Sequence, residues 1–259
     1  MKEYTYQEQN NIENQKKLRE LLQELPSFTL SFFRGIEPRT SSRTRLGYGY
    51  DLRIFFEFLQ QYNPEIGKMK MRDIPMATLD QIKALDIEEY LEYLKLYEKD
   101  GKTFTNTERG IARKLASLKT FYNYFFKKEL IITNPAALVS APKLHDKTII
   151  RLDIDEVARL LDNVESGEQL TGKQLAYHEK TKVRDLALLT LFLGTGIRVS
   201  ECVGLNIDDI DLKNNGIKII RKGGNEVIVY FGDEVRDALL SYWEERSIIT
   251  PAEGHANAL

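Results

Sequence analysis

A single cysteine, Cys202, stands in a chain of 259 residues. One thiol excludes an internal disulfide framework and a thiolate zinc cluster, so stability must come from a packed core. Twelve Phe and 13 Tyr can supply one. No apolar run reaches the ~18 residues that mark a membrane span, and mean hydropathy is −0.39. The polar start Met1, Lys2, Glu3 has no signal-peptide core, and the expectation is a soluble, cytoplasmic chain. Also missing are internal repeats, heptad runs, low-complexity tracts, a Gly-x4-Gly-Lys phosphate loop and clusters of metal ligands. The length allows one large domain or, more readily, two ordinary ones. A net charge of −2, taken as an average, speaks against a nucleic-acid binder.

The average conceals the distribution. Residues 34–53 carry 5 basic side chains (Arg34, Arg39, Arg43, Arg45, Arg53) against 2 acidic ones, and residues 101–151 carry 10 against 3. These two segments together hold +10 in a chain that is otherwise −12. Blocks of positive charge attract polyanions, and phosphate contacts supply most non-specific DNA affinity. The bland alternative is a solvated basic face.

Hydrophobic spacing predicts helices over residues 11–25, stopped by Pro26, from Phe28 onward, and over 44–62, where Leu46, Tyr50, Ile54, Phe55, Phe58 and Leu59 share a face. Further helices are expected over 86–98, through Ile87, Tyr90, Leu91, Leu94 and Tyr97, and over 107–129, with Arg109 and Arg113 one turn apart opposite the apolar side. The N-terminal half therefore reads as an all-helical domain with a basic face. Asn134, Pro135 and Pro142 interrupt the periodicity, and Lys143, His145, Lys147 and Arg151 make that linker cationic. Beyond it come a helix from Leu152 to Leu161, a polar loop over 165–173, a fully buried helix over Val183–Leu193, and two strands, 216–220 and 226–230, joined at Lys222, Gly223, Gly224 and Asn225. A last helix runs from Asp233 through Val235, Leu239 and Trp243.

The informative stretch is Gly194, Thr195, Gly196, Ile197, Arg198, Val199, Ser200, Glu201. A helix ends in Gly-Thr-Gly and an arginine opens the next; glycines let a phosphate approach the backbone, and an arginine fork can hold two of its oxygens. Alone, this is a helix junction with a surface arginine. Lys222 follows 24 positions later at a hairpin tip, where a flexible ammonium can reach into a groove and deliver a proton.

These residues resemble the catalytic domain of the tyrosine site-specific recombinases, the phage integrase family, and its simple Xer-type members in particular. The resemblance rests on Arg184-Asp185, the run Gly194–Glu201, Leu205, Asp208-Asp209-Ile210-Asp211 and Lys222 to Glu226, with Asn134-Pro135-Ala136 and Pro142-Lys143 similar to the family's interdomain linker. It extends over about residues 25–245. It implies a mainly α fold: a helical core-binding domain over 25–133 preceded by a leader helix over 1–24, a basic linker over 134–150, and the first part of an α+β catalytic domain over 151–259.

By the same resemblance, Arg198 clamps the scissile phosphate and stabilises its pentacoordinate transition state. Lys222 acts as general acid toward the 5′-oxygen, with Arg221 a competitor for that role. Glu201 orients the arginine or its helix. A tyrosine forms a 3′-phosphotyrosyl link, so neither metal nor ATP is needed and no cofactor is expected. The partner is double-stranded DNA, with a homotetrameric synapse on two sites for the full-length enzyme. Arg39, Arg43, Arg45, Arg109, Arg113, Lys119, Lys143 and Lys147 are the candidate DNA contacts. The family's His-x-x-Arg helix and terminal tyrosine find no match here: His255 has no arginine at the required offset, and Tyr230 and Tyr242 read as core. The expectation is thus a recombinase cut short, able to bind DNA and unable to cleave it. Two other readings stay open. Asp208, Asp209 and Asp211 with Glu201 could form the Mg2+ site of a nuclease, or the chain could be a non-catalytic DNA-binding regulator.

Overall fold

Two separate hydrophobic cores form, one in each half of the chain. The computed structural model describes residues 4–145, 148–221 and 224–259. These divide into one unit spanning Glu8–Lys147 and another of Thr148–Leu259 with the first seven residues.

The first unit is built on α1 (Tyr6–Glu24), α2 (Thr29–Ile36), α3 (Ser42–Tyr62), the single turn α4 (Thr78–Gln81) and α5 (Ala84–Tyr93). Ser41 caps α3, its hydroxyl accepting from the Thr44 amide at 3.1 Å, which satisfies one of the four orphan donors at a helix start. Leu18, Leu21 and Leu25 bury the inner stripe of α1, and α3 contributes Leu52, Phe55, Phe56 and Leu59. Gly49 lets the two helices touch: a Cβ there would stand 2.6 Å from Leu21 Cδ2.

The helical spacing expected to continue through Tyr97 stops at Tyr93. Strands β1 (Leu96–Lys99) and β2 (Lys102–Thr105) form an antiparallel hairpin instead. The unit thus carries a small sheet beside the helices that the sequence announces. Its turn is Asp100-Gly101, both in the left-handed region at φ 51° and 70°, the backbone that a two-residue hairpin demands. Tyr97 faces Phe104 across the pair, and the rings stack at 5.3 Å. After the hairpin, Thr107 caps α6 (Glu108–Lys127), whose Phe121 meets Phe32 at 5.1 Å and Phe125 at 5.0 Å, both edge-on. Short α7 (Pro135–Leu138) starts on Asn134, and Pro135, Ala136 and Val139 are buried. The first part of the expected linker is therefore packed into this unit's core.

In the second unit, Asp153 and Glu156 cap α8 (Ile154–Ser166) reciprocally, at 2.9 Å each way. Gly167 closes it in the left-handed conformation. Helix α9 (Gly172–Thr195) is twice the length expected. It is not buried all round: Ala187, Thr190 and Leu191 face inward, while Leu188 and Leu193 are 40% and 46% exposed. Among the described residues, α8 and α11 (Asp233–Ser247) pack on this helix without covering Leu188 or Leu193, so a continuous apolar run here does not mean continuous burial. Single-turn α10 (Val199–Cys202) follows. The sheet has the order β3 (Ile210–Asp211), β4 (Gly216–Ile220), β5 (Glu226–Tyr230), all antiparallel. The two longer strands have the bounds the sequence predicts. Ile217 and Ile219 on β4 bury into a core with Leu191, Ile197, Leu205, Phe231, Val235 and Leu239, the last two from α11. Gly194 lets α9 lie directly on Val235. Tyr230 does not join this core; it is 69% exposed at the end of β5. Among the described residues, no helix is long and apolar enough to cross a membrane.

Candidate functional site

The α9–α10 junction concentrates the chemistry of the second unit. Gly196 ends α9 at φ 64°, its amide bonded to the Phe192 carbonyl at 2.9 Å; a non-glycine residue pays for that conformation. Ile197 then anchors the chain in the core, 5% exposed. Arg198 follows in extended backbone as the N-cap of α10. Its main chain is fixed while its side chain stays 67% exposed.

Glu201 is the fixing group. Its side chain is 5% exposed. Oε2 accepts from the Arg198 amide at 2.8 Å and Oε1 from the Arg198 guanidinium at 2.9 Å. The backbone bond from Arg198 holds the carboxyl below its ordinary pKa against the opposing effect of burial, aided by the side-chain bond and by the charges of Arg198 and Arg221. Glu201 is therefore ionised at neutral pH and ties down one edge of the guanidinium, leaving the other donors for an anion. The charge of Arg221, one residue past β4, also acts weakly on Glu201. Lys222 lies outside the described residues.

The aspartates of the alternative Mg2+ reading, Asp208, Asp209 and Asp211, each bond to other groups. Asp209 accepts from the Asn206 amide at 2.9 Å and pairs with Lys218 at 3.6 Å. Asp208 accepts from Asn257 at 2.9 Å, and Asp211 from the Lys213 and Asn214 amides at 3.0 Å each. Bonds from Asn214 lower the Asp211 pKa. Among the described residues, no group of His, Cys, Asp and Glu is arranged to hold a metal ion.

In the helical unit, Arg39, Arg43, Arg109 and Arg113 are exposed, Lys119 is half-buried, and Lys143 is exposed in the connecting segment. Lys147 lies outside the described residues. Arg45 departs from the surface contact expected of it. Its side chain is 8% exposed, and its guanidinium donates to the carbonyls of Thr40 at 2.6 Å and Glu37 at 3.1 Å. It ties the chain before α3 to that helix. Arg113 is held by Asp51 through two bonds of 2.6 and 2.7 Å. Charge counting passes over Asp51; the available signal was an acid inside a strongly basic segment.

The second unit thus presents an exposed arginine at a helix start, held by a buried carboxylate, on a mixed α+β scaffold. The phage integrase family model matches residues 151–256 of the chain. It is 32% identical over 229 residues to the tyrosine recombinase XerC of Caldanaerobacter subterraneus subsp. tengcongensis, covering 87% of this chain and 58% of that protein. It is 33% identical over 211 residues to XerC of Chlorobaculum tepidum, covering 80% and 59%. The chain thus spans about three fifths of the length of these relatives. Its fold is similar to that of the XerH recombinase bound to palindromic difH substrate (TM-score 0.59, 16% identity, 93% of this chain and 64% of that one). It is also similar to the Tn1549 transposon integrase in complex with circular intermediate DNA (TM-score 0.57, 22% identity, 87% and 67%).

Proposed function

We propose that the chain is the DNA-binding and phosphate-clamping portion of a tyrosine site-specific recombinase. The observation that carries this reading is Arg198, exposed at the start of α10 and tied by one edge to the buried carboxylate of Glu201. Its free donors suit two non-bridging oxygens of a scissile phosphate, and their charge favours the dianionic pentacoordinate transition state. Glu201 serves as the positioning group. In this reading Lys222 protonates the leaving 5′-oxygen, and the whole protein supplies the tyrosine that takes the 3′-phosphate in a reaction needing neither metal nor ATP.

Residues 25–139 act as a core-binding domain, 140–150 as a basic linker following the phosphate backbone, and 151–259 as catalytic-domain sequence, with 1–24 a leading helix. Arg39, Arg43, Arg109, Arg113, Lys119, Lys143 and Lys147 are the proposed phosphate contacts; Arg45 is left out because its guanidinium serves the backbone. The whole protein works in the cytoplasm as a tetrameric synapse on two DNA sites. The related XerC enzymes and the DNA complexes of XerH and the Tn1549 integrase support the assignment.

Duplex binding by the 259-residue chain, followed over a salt series, tests it. Each phosphate neutralised contributes a slope of about −0.9 in log K against log[salt], so a steep decline is expected. A flat response contradicts the proposal.

A further inference from the structure

One acid in the basic helical face is buried, and it holds an exposed arginine. Asp51 on α3 has a side chain only 3% exposed, whereas that of its partner Arg113 on α6 is 56% exposed. The guanidinium meets the carboxylate end-on, NH1 to Oδ2 at 2.6 Å and NH2 to Oδ1 at 2.7 Å. Buried Ser117, one turn beyond Arg113, donates its hydroxyl to Asp51 Oδ2 at 2.6 Å. The carboxylate is thus fixed from below and the plane of the guanidinium is fixed by the carboxylate. Two of the five N–H donors of an arginine are spent this way. The remaining three, including the Nε–H edge, point away from Asp51 and have no acceptor among the described residues.

The surroundings suit a polyanionic strand. Exposed Arg109 lies one turn before Arg113 on the same face of α6, and half-buried Lys119 lies further along. On α3, Gly47 sits one turn before Asp51 on its face, and nothing lies within 4 Å of where its Cβ would stand. The backbone beside the pair is therefore open to close approach.

We propose that Asp51 is a positioning residue for DNA: it locks Arg113 so that the free edge of the guanidinium grips a backbone phosphate on the α3–α6 surface. This rests on the DNA-binding function proposed above and adds how one contact is made rigid. An arginine held in plane loses less freedom on forming paired bonds with phosphate oxygens than a mobile one does.

The test turns on a sign. Replacing Asp51 by Asn removes a negative charge, so electrostatics alone predicts tighter binding of DNA. Positioning predicts weaker binding. With the full chain and a 30-base-pair duplex of arbitrary sequence, wild type is the control for DNA binding itself. Asp51→Asn is expected to lower the salt slope by about 0.9, one phosphate's share, which is about eightfold weaker binding at 0.1 M salt. Arg113→Lys, which keeps the charge and loses the fork, is expected to bind weaker than wild type. If Asp51→Asn does not fold, Asp51→Asn combined with Arg113→Gln restores a neutral pair, and the same loss of slope is expected of it. Folded variants that bind as tightly as wild type, or tighter, with an unchanged slope overturn the proposal and leave DNA binding standing. A wild-type chain with a flat salt response overturns the DNA reading itself, and this inference with it.

Discussion

Replacing Glu201 probes the α9–α10 junction without touching Arg198. In Glu201→Ala the Arg198 amide loses its acceptor, the reciprocal half of a helix cap, which costs about 1 kcal/mol. Deleting the buried methylene removes about 0.8 kcal/mol more. The ion pair adds only about 0.5 kcal/mol, because Arg198 is mostly solvated. The total is about 2 kcal/mol. Glu201→Gln keeps the stem and one acceptor oxygen, so its cost is about 1 kcal/mol. The Glu201 pKa is lowered in the folded chain. Its contribution is therefore fully present above the ordinary carboxylate pKa, and is lost as pH falls through the lowered folded value. Urea unfolding of wild type, Glu201→Ala and Glu201→Gln at pH 7, repeated at descending pH, measures both effects. The wild-type advantage over Glu201→Gln should shrink as pH falls through that range. Equal stability of wild type and Glu201→Gln at pH 7, or a gap that widens with acid, refutes the geometry assigned to Glu201.

Other outcomes follow from the packing. Phe121→Ala removes a fully buried ring at the centre of the helical unit and should cost about 3–5 kcal/mol by thermal or urea unfolding. Gly49→Ala places a methyl 2.6 Å from Leu21 Cδ2 and should cost about 1–3 kcal/mol. Gly47→Ala, on the same helix with open space at its Cβ, should stabilise by about 0.5–1 kcal/mol. Its binding to duplex DNA should nevertheless weaken in a titration, since the added methyl occupies the open backbone beside Asp51.

The parts of the fold that read directly from the sequence are those where one local signal dominates. β4 and β5 were legible because Ile217 and Ile219 alternate toward the core and a glycine-rich turn separates the strands. α3 and α6 were legible because their apolar residues recur at helical spacing. The β1–β2 hairpin was missed for a local reason: Leu94 and Tyr97 also sit at helical spacing, which outweighed the Asp100-Gly101 turn signal. Tyr97 belongs to a strand because Phe104, distant in spacing rules but opposite in register, stacks on it. α9 was expected to be wholly buried because burial was inferred from apolarity, whereas burial depends on where neighbours stand. In the candidate site, Arg198 was singled out by the Gly-Thr-Gly junction before it and Glu201 by the family resemblance, and the structure pairs the two. That Arg45 faces inward was illegible, because charge has no direction in a sequence, whereas helical spacing had already set Arg113 opposite the apolar side of α6. One acid of the basic segment, Asp51, turns out to hold Arg113, so an acid embedded in a basic stretch was the unused clue.

Covalent trapping on a nicked suicide DNA substrate by the full-length enzyme tests the proposed clamp of Arg198 on the scissile phosphate. The wild-type enzyme should accumulate a covalent protein–DNA adduct, whereas Arg198→Ala should bind the same DNA and form none. Adduct from Arg198→Ala at the wild-type yield would contradict the account.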